Sequence, residues 1–288
     1  MNWAESIDLY CERTDASFGS EPLNALTNLA FVAVALWLVR RYGRTAPRDA
    51  RGLIALIAMV GLGSLVFHTV ATRWAALLDV GFIAVFVLAY FQRFQRHVLG
   101  GTDAAAWRGL GVFLVLAAGF AVLLRWGPPW SLNGSEIYLP PFALLGYCAW
   151  QARRRDLAAG RWLMAASGLF LFSLACRVID QALCPLWPWG THFGWHLGNA
   201  AVLACCMEGL LRHLPGGAAD QAIGADDAFR PLAAPAVEHQ QMIAHLVEGI
   251  EVAPQRRHLG RRMRRHLFVK NAIAKRLRRI DLGGGCGQ

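Results

Sequence analysis

The stretch GSLVFHTVATRWAALLD, residues 63–79, places polar and titratable side chains in two long apolar runs joined by a few polar residues. Ser64 and His68 precede the connection at i, i+4 spacing, and Asp79 follows it. Far downstream, His192 and His196 have the same spacing at the start of another apolar run. Because titratable groups are costly inside lipid-spanning helices, these five residues predict a functional site.

The composition is that of a membrane protein. Of the 288 residues, 56% are apolar, and they are grouped in runs near the length of about 20 residues that crosses a bilayer. Seven such runs lie at roughly 24–40, 53–71, 74–92, 108–125, 137–152, 162–181 and 191–211. The predicted fold class is therefore all-α, a polytopic bundle of seven transmembrane helices. A β-barrel would show short alternating segments instead.

Basic residues in alternate loops predict the orientation. They follow the first, third and fifth runs: Arg40, Arg41, Arg44, Arg48 and Arg51; Arg93, Arg96 and Arg108; and Arg153, Arg154, Arg155 and Arg161. Because cytoplasmic loops carry an excess of Lys and Arg, the N-terminus is expected outside and the C-terminus in the cytoplasm. We expect a multi-pass integral membrane protein, of the inner membrane if the source is bacterial and of the ER or Golgi otherwise.

Three regions are expected along the chain. Residues 1–22 form an acidic extracytoplasmic segment, residues 23–213 the membrane domain, and residues 214–288 a linker and basic tail. The tail alternates basic and apolar residues, which predicts an amphipathic helix on anionic lipid headgroups. A disordered tail is the alternative, and no nucleic acid is expected as a partner.

Counting along the helices puts the polar residues in one outer slab of the bilayer. At about 1.5 Å per residue, His68 and Asp79 each lie roughly 7–10 Å below the turn that joins their runs. His192 and His196 occupy the first turns of a run that starts at the same face. Three neutral imidazoles that leave one coordination position open are typical of catalytic zinc. The three histidines are therefore predicted to bind Zn²⁺.

Zinc chemistry suggests roles for the other two residues. Zinc lowers the pKa of bound water toward about 7 and polarises a carbonyl, which suits amide or ester hydrolysis. Asp79 is predicted to be a general base, and Ser64 a hydrogen-bond donor to the developing oxyanion. Simpler interpretations stay open: hydrogen-bonded or interfacial histidines, pairing of Asp79 with Arg177, and close helix packing at Ser64.

Three further charged residues lie in the apolar runs. Arg177 and Asp180 predict either an i, i+3 ion pair or a group that orients a zinc-bound histidine. Glu208 has no comparable polar company in the sequence and is predicted to be structural.

The acidic N-terminal segment offers a second possible metal site. Asp8, Glu12, Asp15 and Glu21 supply hard oxygen ligands within a short span, which is the chemistry that calcium prefers. The spacing is not that of an EF-hand, and a solvated acidic segment is the alternative.

Over residues 8–212 the sequence resembles the alkaline ceramidase family, seven-helix intramembrane hydrolases related to the progestin and adiponectin receptor group. The matching stretches are YCER at 10–13, EPLNALTNLAF at 21–31, GSLVFH at 63–68, Asp79, and HFGWH at 192–196. The resemblance implies zinc ligands at His68, His192 and His196. It also implies that the chain hydrolyses the amide bond of ceramide to give sphingosine and a fatty acid. Attack by zinc-bound water, with Asp79 taking the proton and Ser64 near the metal, is the expected mechanism.

The same resemblance implies calcium binding by the N-terminal segment. Glu12 and Glu21 match ligand positions, and Tyr10 matches a position that contributes its carbonyl. Leu9 and Thr14 stand where an aspartate and an asparagine are expected. The neighbouring aspartates of the segment would then have to serve as ligands.

A disulfide between Cys11 and Cys184 is also implied by the resemblance. It would hold the acidic segment over the mouth of the zinc pocket, on the side of the membrane where disulfides form. Two other functions stay open. One is a zinc hydrolase of the same fold that acts on another N-acyl or ester lipid. The other is a non-catalytic seven-helix receptor or sensor with a structural metal.

Overall fold

The structure is a computed structural model that describes residues 2–43, 45–127 and 131–214. Within these ranges the regular structure is helical, which confirms the predicted all-α class. The α-helices are α1 (Pro22–Thr27), α2 (Leu29–Tyr42), α3 (Arg48–Val70), α4 (Arg73–Arg93), α5 (Asp103–Leu124), α6 (Leu139–Arg154), α7 (Ala159–Leu183) and α8 (His192–Leu211). A π-helical turn at Phe94–Val98 extends α4, and a 3₁₀ turn at Glu136–Tyr138 precedes α6. Almost all of the predicted linker and basic tail lies outside the described residues.

Five helical stretches are long and apolar enough to cross a membrane: Pro22–Tyr42, Arg48–Val70, Arg73–Val98, Asp103–Leu124 and Ala159–Leu183. They are consistent with an integral membrane protein. The two other long helices are α6, with 16 residues, and α8, which carries two histidines and a glutamate. Large apolar side chains point outward on α5, where Val115, Leu116 and Leu123 are 72%, 67% and 69% exposed. Such exposure is expected where lipid, rather than water, is the solvent.

Helices α3 and α4 form the hairpin that residues 63–79 predict. Helix α3 ends at Val70. Ala71 follows in a left-handed conformation, and its N–H bonds to the Phe67 carbonyl. Helix α4 begins two residues later, after the extended Thr72. His68 therefore lies in the last turn of α3 and Asp79 in the second turn of α4, at the same end of the hairpin.

Helix α8 packs along α7 and also contacts α1, α2 and α3. Close approach to α7 depends on Gly198, where a Cβ would lie 2.6 Å from the Ser173 hydroxyl oxygen. Small residues at a helix interface allow backbones to approach in this way. Buried Leu38, Leu163 and Leu210 belong to the core between α2, α7 and α8. This packing fixes the first turn of α8 beside the last turn of α3.

Candidate metal centre

An N-terminal strap, residues 2–20, lies across the end of the bundle where α3 ends and α8 begins. The Ile7 N–H bonds to the Ala71 carbonyl at 2.7 Å, and the Arg73 N–H bonds to the Glu5 carbonyl at 3.2 Å. A disulfide joins Cys11 to Cys184 after α7, with the two Cα atoms 5.4 Å apart. The structure thus contains the disulfide that the family resemblance implies, and it ties the strap to the loop before α8.

Three buried histidines, which we call the histidine centre, converge beneath the strap. One nitrogen from each of His68, His192 and His196 lies within 4.8 Å of the others. Nε2 of His68, Nδ1 of His192 and Nε2 of His196 are buried, and none has a hydrogen-bond partner among the described residues. In the described part of the chain, this is the only group of three or more His, Cys, Asp or Glu side chains close enough to share an ion.

Hydrogen bonds to the opposite ring nitrogens fix the tautomers of two of these histidines. His68 Nδ1 lies 2.5 Å from a carboxylate oxygen of Glu21, which can only accept, so the proton is on Nδ1. His196 Nδ1 lies 2.9 Å from the Thr27 hydroxyl, which is itself placed to donate to the carbonyls of Leu23 and Asn24. In their neutral forms both rings then carry the Nε2 lone pair toward the centre. Orientation of a metal-binding histidine by its second nitrogen is usual in metal sites.

His192 is positioned by stacking and by the start of its helix. Its ring stacks on that of Tyr10, with centroids 3.6 Å apart and planes at 17°. One carboxylate oxygen of Asp180 accepts the N–H groups of Thr191 and His192 at 2.7 and 2.9 Å. Gly190, with φ of +61°, is required there because a Cβ would overlap Asp180 and Cys11.

The second carboxylate oxygen of Asp180 accepts the Cys11 N–H at 2.9 Å. Asp180 therefore joins the strap, α7 and α8. No ion pair within 4.0 Å between Arg177 and Asp180 occurs among the described residues. Of the two interpretations left open by the sequence, the structure favours the one in which Asp180 orients a histidine.

This donor set fits a metal ion. A nitrogen lies about 2.0–2.1 Å from a bound zinc, so two ligand nitrogens can be at most about 4 Å apart. The three ligand nitrogens lie within 4.8 Å of one another, the range in which they could hold an ion. A buried triad of imidazoles is a donor set that suits transition metals.

A cavity of about 90 Å³ begins beside the histidine centre. Ser64, Asp79 and His196 lie together at one end of it, and all three are buried. Phe91 and Cys206 line the other end. Aliphatic and aromatic side chains form most of the wall between. Asp79 and Phe91 are twelve residues apart on α4, so the residues that line the cavity extend over about 18 Å of this helix.

Arg177 is a buried cation close to this cavity. Its guanidinium lies 5.4, 5.2 and 5.9 Å from the ring centroids of Tyr10, Tyr138 and Trp195. It donates to the Ser135 hydroxyl at 3.0 Å, while its Nε has no partner. The described residues place no carboxylate within 4.0 Å of it, so the interpretation of Asp79 as its ion-pair partner is not supported.

The candidate calcium ligands are not gathered into one site. Glu12 accepts the N–H groups of Leu23 and Asn24 at 2.6 and 2.8 Å, and therefore caps the first turn of α1. Burial raises the pKa of Glu12, although these two N–H bonds oppose the shift. The side chains of Asp8 and Asp15 are exposed, and Asp15 accepts hydrogen bonds from Ser17.

Glu21 is held by other groups. One oxygen lies 2.5 Å from Arg13 Nε, and the other contacts His68 Nδ1 and the Asn24 amide. Burial by itself would raise the pKa of Glu21, but the hydrogen bond from His68 and the charge of Arg13 lower it below its ordinary value. The Tyr10 carbonyl, predicted as a calcium ligand, accepts the Arg13 N–H at 3.2 Å. The Tyr10 ring packs on His192, and burial raises the pKa of its hydroxyl.

Sequence reasoning missed Arg13 and Thr27. Arg13 lies within an acidic segment, and its positive charge could have indicated that this residue pairs with the carboxylates of the segment. Thr27 lies with Asn24 and Asn28 at i, i+3, i+4 spacing, a polar stripe on an otherwise apolar helix. That stripe faces α8 and α3 and supplies the bond to His196.

No family model matches this sequence, and no curated protein matches it significantly.

Proposed function

We propose that this chain is an intramembrane zinc-dependent hydrolase of the alkaline ceramidase type, which cleaves the amide bond of ceramide. One observation carries the proposal: three unpaired, buried histidine nitrogens converge at the head of a long apolar cavity. We also propose that the chain crosses the membrane seven times, through the five candidate spans together with α6 and α8, and that its N-terminus is extracytoplasmic. The loop charges support that orientation.

The dimensions of the cavity support a lipid substrate. An acyl chain of one leaflet spans about 15 Å, half of the hydrocarbon core of about 30 Å. The residues that line the cavity extend over about 18 Å of α4, and they are apolar apart from the metal end. We propose that an acyl chain lies along this lining, with its carbonyl carbon beside Ser64, Asp79 and the histidine centre.

Zinc is the metal that we propose for the triad, because it favours imidazole ligands and has no redox chemistry. When bound, it polarises the scissile carbonyl and lowers the pKa of water. Asp79 accepts the proton of the attacking water. Ser64 donates a hydrogen bond to the carbonyl oxygen as negative charge develops. Glu21 and Thr27 hold two histidines in the tautomers that the metal requires.

Arg177 favours a second substrate class. A buried guanidinium without a carboxylate is costly unless aromatic faces or a ligand anion compensate it. An N-acyl lipid with a carboxylate head group, such as an N-acyl amino acid, would bring that anion to Arg177. We therefore propose N-acyl lipids in general as the substrate class, with ceramide as the first candidate.

Turnover of a lipid panel by the purified, zinc-loaded chain tests the function. The panel contains ceramides, acyl-ethanolamines and N-acyl amino acids, and fatty acid release is measured. We expect Asp79→Asn to lower kcat about 10²–10⁴-fold with the metal retained. A wild-type rate for that variant would exclude Asp79 as the base. If the protein with full zinc content turned over none of these lipids, the hydrolase proposal would be wrong, and a receptor or sensor function would be favoured.

A further inference from the structure

The calcium ion implied by the family resemblance does not fit the donor atoms of this chain. Calcium takes six to eight oxygen ligands, usually including several carboxylates. Here both oxygens of Glu12 accept backbone N–H groups, and both oxygens of Glu21 are bonded to protein donors. The two aspartates that would have to serve as ligands are exposed.

The Arg13 side chain instead lies among the oxygen atoms of the strap. It is 1% exposed, and its Nε pairs with Glu21 at 2.5 Å. Nη1 donates to the backbone carbonyls of Asp15 and Ser17 at 2.9 and 3.5 Å, and Nη2 donates to the His68 carbonyl at 3.3 Å. One carboxylate and three carbonyl oxygens thus surround a guanidinium. These are the ligand types that a calcium ion would use.

We propose that the Arg13 guanidinium is a fixed internal cation that takes the place of calcium and joins the strap to the histidine centre. Arg13 bonds Glu21, and Glu21 bonds His68, so the chain of contacts reaches a metal ligand in two steps. The contact with the His68 carbonyl adds a direct link to the last turn of α3. A second cation on Glu21 would lie beside this guanidinium in a water-poor site, where like charges repel strongly. Arg13 is therefore a positioning residue, and the strap needs no calcium.

Calcium binding to the full-length, zinc-loaded protein tests this directly. Equilibrium dialysis with radioactive Ca²⁺ alone is expected to show no saturable binding up to about 1 mM, the weak end of protein calcium sites. The thermal unfolding midpoint is expected to be the same with and without Ca²⁺. One equivalent of bound Ca²⁺ that Glu21→Gln abolishes would overturn the proposal.

Variants of Arg13 test the positioning role. Zn²⁺ affinity is measured by competition with a chromogenic chelator in calcium-free buffer. Arg13→Gln is expected to weaken Zn²⁺ binding about 10-fold, since groups that orient metal ligands have effects of this size. The matched control is Arg73→Gln, which removes the arginine at the start of α4 that is 44% exposed and pairs with Glu5 of the strap. Equal affinities for these two variants would contradict the proposal.

Arg13→Lys keeps the charge but not the fork of donors, so partial recovery of Zn²⁺ affinity is expected. Should Arg13→Gln fail to fold, the Arg13→Lys value and wild-type dialysis still decide. Ca²⁺ binding and Zn²⁺ affinity are both measured without lipid turnover. The experiments can therefore show that the Arg13 proposal is wrong independently of the hydrolase proposal.

Discussion

Two buried polar clusters lie at opposite ends of α8, and they differ in what their polar atoms contact. His196 of the histidine centre and Glu208 are twelve residues apart, about 18 Å along the helix. The Glu208 carboxylate accepts the Tyr42 hydroxyl and Arg212 Nε, each at 2.9 Å. Arg41 Nε lies 3.1 Å from its other oxygen, as an ion pair without hydrogen-bond geometry. The charge of Glu208 is thus offset by two arginines that are partly exposed.

The histidine centre is organised in the opposite way. Its outer nitrogens are bonded to Glu21 and Thr27, while the three nitrogens that face one another have no partner. A buried polar atom without a partner costs about 1–3 kcal/mol, so three such atoms at one point call for a ligand. Burial of polar groups in a membrane bundle therefore does not identify a site. Convergence of unpaired atoms does.

Removal of a histidine is the strongest test of this difference. His68→Ala, His192→Ala and His196→Ala are each expected to reduce bound metal, from about one ion per chain to about a tenth or less, since catalytic zinc is held by three protein ligands and structural zinc by four. Metal content is measured by mass spectrometry on purified protein. His213→Ala is the control on the same chain, because that ring bonds to the Gly209 carbonyl and is not one of the three clustered histidines. Full metal content in all three variants would mean that the centre is a packed polar cluster like that of Glu208.

The next largest effect is expected from Glu21→Gln. The substitution weakens the orienting bond to His68 and leaves the Arg13 guanidinium buried without its anion. We expect metal affinity to fall about 10–100-fold, and the free energy of unfolding to fall by about 3–5 kcal/mol. Chelator competition and denaturant unfolding measure the two effects. A loss of stability with unchanged metal affinity would show that Glu21 does not orient His68 for metal binding.

Glu208→Ala is the matched experiment at the other end of α8. Loss of the acceptor for Tyr42 is expected to lower the free energy of unfolding by about 1–3 kcal/mol. Metal content should stay unchanged, because no contact links Glu208 to the histidines among the described residues. Glu208→Gln keeps an acceptor oxygen and should retain more stability. Reduced metal content in Glu208→Ala, at a temperature where the variant is folded, would show that the two clusters are not independent.

The sequence predicted the helical fold and the depth of the polar residues for a physical reason. Apolar runs near the length of a bilayer can only be helices, and positions along a helix follow from its rise per residue. Counting from the turn at 71–72 was enough to place His68, Asp79 and the two histidines of α8 at one end of the bundle. The contact of Glu208 with Tyr42 was not predicted, because Tyr42 lies at the end of α2, 166 residues away. Arg212 lies four residues after Glu208 at the end of α8, and spacing alone could have indicated that pair.

The partners of the histidines could not be predicted in the same way. Glu21 is 47 residues from His68, and Thr27 is 169 residues from His196. Such contacts depend on how helices rotate about their axes when they pack, which periodicity does not determine. The acidic segment was therefore interpreted by its charge alone, as calcium ligands or as a solvated segment. In the structure Glu12 caps a helix, and Glu21, which follows the strap, is an ion-pair partner of Arg13.

The stability contribution of both buried clusters can be compared with that of an exposed ion pair between the strap and α4. Glu5 and Arg73 are about half exposed and 2.9 Å apart. The hydrogen bond and charge of Arg73 lower the pKa of Glu5. A carboxylate with a lowered folded-state pKa stabilises the fold above its unfolded-state pKa, and that contribution is lost as the pH falls through the folded-state value. Because solvent screens this pair, we expect the unfolding midpoint of Glu5→Gln to be almost that of the wild type at pH 7, and the small difference to vanish once the pH is below the lowered pKa of Glu5. A midpoint difference as large as that of Glu208→Ala would show that the strap, and not only the two buried clusters, determines the stability of the bundle.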